Sequence, residues 1–159
     1  MTELALKPPS AASSTLSADF ESTLTFKSPV EAVFDALTTL SSLASWWMPV
    51  SGSGMDGGEL TFVFGEGSVV MRVDKAVRPA AVTWTSLACG LLPEWVGTTI
   101  SFEISQGEQS GSRLQFRHAG LTPQLECYDL CSLGWRTYLA SLVGYVDSGK
   151  GHPVGSVSE

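Results

Sequence analysis

Residues Gln124–Ser148 read QLECYDLCSLGWRTYLASLVGYVDS, and their spacing decides the architecture. Tyr128, Ser132, Trp135, Leu139, Leu142 and Val146 recur at steps of four and three, which places them on one stripe of an α-helix. A helix of roughly 25 residues is about 37 Å long. The segments before it read as short strands, so this helix is the one element long enough to cover a sheet face.

Working back from it, period-2 alternation marks the strands. Leu114, Phe116 and His118 separate from Arg113, Gln115 and Arg117, and Ile100, Phe102 and Ile104 separate from Ser101, Glu103 and Ser105. Val82–Leu87 carries Trp84, while Leu60, Phe62 and Phe64 form a hairpin with Val69, Met71 and Val73 across the Gly65–Gly67 turn. Phe20, Ser22, Leu24 and Phe26 alternate with Glu21, Thr23, Thr25 and Lys27. Ser28-Pro29-Val30-Glu31 reads as a capping box with Pro at the first helical position, opening a helix that buries Val30, Val33, Phe34 and Leu37. A second short helix, about Ser41–Trp47, stops at Pro49, and Ser51–Gly58 reads as a Gly- and Ser-rich turn. The expected class is α+β: a curved six-stranded antiparallel sheet around the long C-terminal helix, with two short helices after the first strand.

Composition narrows the partners. The chain has 159 residues, 43% of them hydrophobic, which suits one domain with its own core. Residues 1–18 are rich in Ser, Ala, Pro and Thr and read as a flexible leader, 19–153 as the folded domain and 154–159 as a tail. A net charge of −7 with nine Lys and Arg leaves no basic stripe, so nucleic acid and anionic membrane are excluded as expected partners. Three cysteines, no secretory signal, no long apolar run and no Asn for a glycosylation sequon point to a cytoplasmic protein.

A sheet curled around a helix with bulky side chains on both is expected to leave a gap, and that gap is the default ligand site. Its walls are read as Phe62, Phe64, Met71, Trp84, Phe102, Phe116, His118, Tyr128 and Trp135. Trp46 and Trp47 are assigned to sealing one end. His118 is the one catalytic candidate, because a neutral imidazole on the apolar face can contact a ligand or move a proton. Its bland reading is a hydrogen-bonded histidine inside the packing, and that reading carries more weight. Cys127 and Cys131, one turn apart, lack the two-plus-two spacing of a zinc site and any signature of a nucleophile, so no metal is expected. Gly52, Gly54, Gly57 and Gly58 precede a strand, with no Lys-Ser or Lys-Thr after them, which fits a turn and not a phosphate loop, so no cofactor is expected.

The segments Ala36–Thr38 and Leu43-Ala44-Ser45-Trp46-Trp47-Met48-Pro49, Pro93–Thr99, Phe116–Leu121, Cys127–Cys131 with Gly134-Trp135, and Ser141-Leu142, Tyr145 and Gly149–Pro153 occur in this order. Together they resemble the domain of the activators of the ninety-kilodalton heat-shock protein ATPase, within the START or birch-pollen-allergen (SRPBCC) superfamily. The resemblance runs from about Phe20 to Pro153 and implies the helix-grip fold. It also implies a menu of activities: carriage of lipids, hormones or polyketides, cyclase or hydrolase chemistry, and co-chaperone action. Binding of a small apolar or aromatic ligand leads. A cyclase- or hydrolase-type enzyme using His118 and a chaperone-binding module are the alternatives, the latter ranked lower because such co-chaperones carry a further N-terminal domain. A homodimer is among the assemblies left open.

Overall fold

The structure is a computed structural model and describes residues 19–64, 67–90 and 93–153. The leader 1–18 and the tail 154–159 lie outside the described residues. The elements run β1 (Phe20–Phe26), α1 (Val30–Thr38), α2 (Leu40–Trp46), β2 (Val50–Gly52), β3 (Glu59–Phe64), β4 (Gly67–Val77), β5 (Ala81–Cys89), a 3-10 turn (Pro93–Trp95), β6 (Thr99–Gln106), a second 3-10 turn (Glu108–Ser110), β7 (Ser112–Ala119) and α3 (Tyr128–Ser148). The strands form one antiparallel sheet in the order β1-β7-β6-β5-β4-β3-β2. This is the expected α+β helix-grip fold with seven strands in place of six.

The added strand, β2, was read as part of a turn. Three residues are too few to show a period, and only their pairing with Leu60, Thr61 and Phe62 makes them a strand. Alternation elsewhere holds: along β7, Ser112, Leu114, Phe116 and His118 are buried while Arg113 and Arg117 are exposed. Register shifts between Val70 and Met71 and between Val73 and Lys75 interrupt the β4–β5 ladder, the kind of irregularity that bends a sheet.

The long helix starts at Tyr128, not Gln124. Before it, the chain makes turns in which Leu125 N–H donates to Thr122 O and Tyr128 N–H to Leu125 O. The Glu94 carboxylate accepts from the Glu126 and Cys127 amides at 3.3 and 3.2 Å, so a side chain from the β5–β6 connection supplies the acceptor that the helix start lacks. Of the predicted stripe, Ser132, Trp135, Leu139 and Leu142 are buried, and Tyr128 and Val146 lie half-buried at the ends.

The other end of α3 corrects the reading of Ser28. Pro29 is the N-cap of α1, and no side chain caps that helix. Ser28 Oγ instead donates to Asp147 Oδ1 at 2.8 Å, and the Lys27 and Ser28 amides donate to the same carboxylate at 2.9 and 3.2 Å. An acid in the last turn of a helix is disfavoured by the helix dipole. Three donors outweigh that penalty and tie β1 to α3. Asp147→Ala should therefore lower the unfolding free energy in urea by about 1–2 kcal/mol without loss of helical circular dichroism. A variant as stable as the parent would show that this tie carries no weight.

Candidate functional site

The layer between sheet and α3 is aromatic. Trp84 and Phe102 come from the inner faces of β5 and β6, Phe116 and His118 from β7, and Trp135 from the buried stripe of α3. The expected gap between these walls is closed at its centre. Trp135 lies 4.6 Å, centroid to centroid, from Phe116, and Phe102 lies 5.0 Å from Trp84 and 5.3 Å from Phe116. Bulky rings here interlock and do not hold the layers apart, as expected of an interior packed like an organic crystal.

Trp47 is the ring that the sequence reading misplaced. Assigned to sealing an end, it sits 4.5 Å from Phe62 and 5.0 Å from Trp135 and stacks at 6.2 Å over Trp84. Its neighbour Trp46 stacks on it at 5.9 Å, is equally buried, and donates its indole N–H to Ala36 O at 2.8 Å, joining α2 to α1. Two adjacent tryptophans at the end of a seven-residue helix carry no period that says which one meets the layer between sheet and α3.

His118 is fully buried and both its nitrogens are used. Trp135 Nε1–H donates to Nδ1 at 3.0 Å. An indole nitrogen only donates, so Nδ1 is an acceptor and the ring proton sits on Nε2. Nε2–H then donates to Thr98 Oγ1 at 2.8 Å, and Thr98 passes its own proton to Trp95 O at 2.6 Å. Trp95 Nε1–H in turn reaches Cys131 Sγ at 3.4 Å, and its ring stacks on Trp135 at 5.9 Å. Burial pushes the His118 pKa down to about 3, against a weaker upward pull from Asp19. Asp19 itself is held by Arg117 and by the Gly120 amide at 2.9 Å. This histidine is neutral and engaged within the protein.

The remaining predicted residues fall as follows. Phe62, Met71 and Phe102 are fully buried on the inner face, Tyr128 packs half-buried against the core at the start of α3, and the Phe64 side chain lies outside the described residues. Cys131 accepts from Trp95, and burial together with neighbouring Cys131 and Glu94 pushes the Cys127 thiol up to about 12, so Cys127 presents no thiolate near neutrality. Among the described residues no group of three or more His, Cys, Asp and Glu side chains is arranged to hold a metal.

Three buried polar atoms have no partner among the described residues: Trp84 Nε1, Ser86 Oγ and Ser132 Oγ. Ser132 was on the predicted stripe; Ser86 was not singled out, although it is two residues from Trp84 on the same face of β5. A groove of about 310 Å³ lies on the opposite, wet face of the sheet, lined by Glu21, Ser101, Glu103, Gln115 and Arg117.

Residues 27–147 match the model of the family described as Activator of Hsp90 ATPase homolog 1-like protein. The chain belongs to this family. The solution structure of the Aha1 dimer from Colwellia psychrerythraea is similar with a TM-score of 0.75 and 28% identity, over 84% of this chain and 99% of that one. CalU16 from Micromonospora echinospora aligns with a TM-score of 0.64 and 20% identity over 80% of this chain and 74% of its own. SSP2350 from Staphylococcus saprophyticus gives 0.69 and 17% over 84% and 94%. The last two show the shared fold alone. Among curated proteins no match is found. Among the described residues no helix is long and apolar enough to cross a membrane.

The histidine network gives a pH signature. An unfolded histidine protonates near pH 6.5, whereas the folded one resists protonation down to about pH 3. Between those values the unfolded chain binds the extra proton, so the contribution of neutral His118 is full above pH 6.5 and is lost as pH falls, at up to about 1.4 kcal/mol per pH unit. His118→Gln keeps an acceptor for Trp135 and a donor for Thr98 but does not titrate. Its urea midpoint should fall less than the parent's between about pH 7.5 and 5. Equal losses in both proteins would count against this account.

Proposed function

We propose that this family member binds a small apolar or aromatic molecule between the sheet and α3. The observation that carries the reading is the trio of buried side-chain atoms without partners among the described residues, Trp84 Nε1, Ser86 Oγ and Ser132 Oγ. Buried polar groups are overwhelmingly paired, and each unpaired one costs about 1–3 kcal/mol, so three such exceptions on the two walls of one layer favour an occupant. Phe62, Met71, Trp84, Phe102, Phe116, Tyr128 and Trp135 supply the apolar walls. His118 moves from ligand contact to a positioning role, because both its nitrogens are bonded within the protein. The same bonding argues against His118 as an acid or base of an enzyme.

Room for a ligand comes from Trp47. It follows α2, a helix of seven residues, and its ring meets Trp46, Phe62, Trp84 and Trp135, so in this reading an entering ligand displaces it from those four contacts. Native mass spectrometry of protein purified from its own cells should show a bound molecule of a few hundred daltons. A high-resolution crystal structure with only water on Trp84, Ser86 and Ser132 would sink the reading.

A second reading rests on the outer side of α3, where Leu130 and Leu133 are 70% and 59% exposed and Val96 nearby in the β5–β6 connection is 51% exposed. Such a patch suits a protein partner, either the chaperone ATPase of the family's name or a second copy of the chain, as in the Colwellia dimer. A Leu130→Glu, Leu133→Glu variant should lose any self-association seen in sedimentation and any chaperone capture by the parent. A parent that is monomeric and captures no chaperone would remove this reading.

A further inference from the structure

The interior site proposed above also carries information on the charge class of its ligand, and the following rests on that reading. Trp84 and Ser86 alternate with Thr85, so both point to the inner face of β5. The Ser86 amide donates to Thr98 O at 2.9 Å, which fixes this part of β5 to the residue whose hydroxyl receives His118. Ser132 approaches from the opposite layer. It follows Cys131, whose sulfur accepts from Trp95, and the Trp95 carbonyl accepts from Thr98. The Ser86 backbone and the residue before Ser132 thus both bond to the Trp95–Thr98 segment, one from the sheet and one from the helix. Trp84 joins them through Trp47, which touches both Trp84 and Trp135, the latter one turn beyond Ser132.

The chemistry offered at this place is uneven. Trp84 Nε1 only donates, and each serine hydroxyl donates or accepts. Positive charge is missing: among the described residues none of the buried polar side chains is Lys or Arg, and His118 is neutral with its proton committed to Thr98. The amides at the start of α3 already face the Glu94 carboxylate and are not open to an anionic ligand. A carboxylate or phosphate would enter without compensation, and a pure hydrocarbon would leave all three groups unpaired.

We infer that the site selects a neutral molecule whose apolar or aromatic body carries a hydrogen-bond-accepting oxygen of the ketone, ester or amide type, which takes the Trp84 indole N–H and the Ser86 and Ser132 hydroxyls. Hydrocarbons and acids of the same shape bind more weakly.

Three probes of matched shape test this on the full chain: acetylnaphthalene, ethylnaphthalene and naphthoate, titrated by calorimetry and by nuclear magnetic resonance of the indole N–H signals. The ketone should bind about tenfold more tightly than the hydrocarbon, and naphthoate about a hundredfold more weakly than the ketone at neutral pH. The Trp84 indole signal should move with the ketone alone. Ser86→Ala and Ser132→Ala remove hydroxyls that have no partner among the described residues, so both variants should fold with unchanged or raised melting temperature. Each should reduce the ketone's advantage over the hydrocarbon. Equal binding of ketone and hydrocarbon, or preferred binding of naphthoate, overturns the neutral-acceptor assignment while leaving interior binding standing. If none of the three moves any indole signal, interior binding itself fails and this inference with it.

Discussion

The structure depends on a directed chain of hydrogen bonds that leaves α3 at Trp135 and returns to it at Cys131. It passes through His118 on β7, Thr98 at the start of β6, and Trp95 in the β5–β6 connection. Two of its donors are indoles, which cannot accept, so every proton in the chain has one allowed position. Reversing a link would leave a buried donor facing a donor. The helix is thereby located over the sheet by chemistry with a sense of direction as well as by apolar contact, which by itself is non-directional. Two carboxylates complete the attachment. Glu94 holds the start of α3, where the dipole favours it, and Asp147 holds the end, where three donors offset an unfavourable placement.

That chain also determines what the interior can do. A histidine that accepts from one neighbour and donates to another, fully buried and neutral, holds two layers in register and has no free nitrogen to offer a substrate. Unused hydrogen-bonding capacity lies one step away, on Trp84, Ser86 and Ser132, beside an aromatic layer completed by Trp47. Belonging to the activator-homologue family establishes the fold of this arrangement; the chemistry of its interior is set by these particular side chains.

Much of this was legible in the residue pattern, and the exceptions share a cause. Strands such as β7, and helix α3, repeat their apolar residues over two or more periods, so burial can be read from spacing. β2 has three residues and no period. Ser28 has the spacing of a capping residue, yet Asp147, 119 positions away, offers it a charged acceptor. Trp46 and Trp47 are adjacent and chemically identical, and contact with Phe62, Trp84 and Trp135 selects the second. His118 was correctly placed on the inner face, but its partners lie 17 and 20 residues away and on different elements.

By itself, then, the sequence determined the strand and helix periods, the inward set on each, the order of the elements and hence the helix-grip architecture. These follow from local spacing and from the need to cover one apolar sheet face. Only the tertiary structure decided that the layers interlock at Phe116 and Trp135, that Trp47 fills the centre, that His118 is spent on Trp135 and Thr98, and that Trp84, Ser86 and Ser132 are left over. The physical reason is that hydrogen-bond partnership and ring packing are properties of pairs brought together across the fold. No residue carries them in its own spacing.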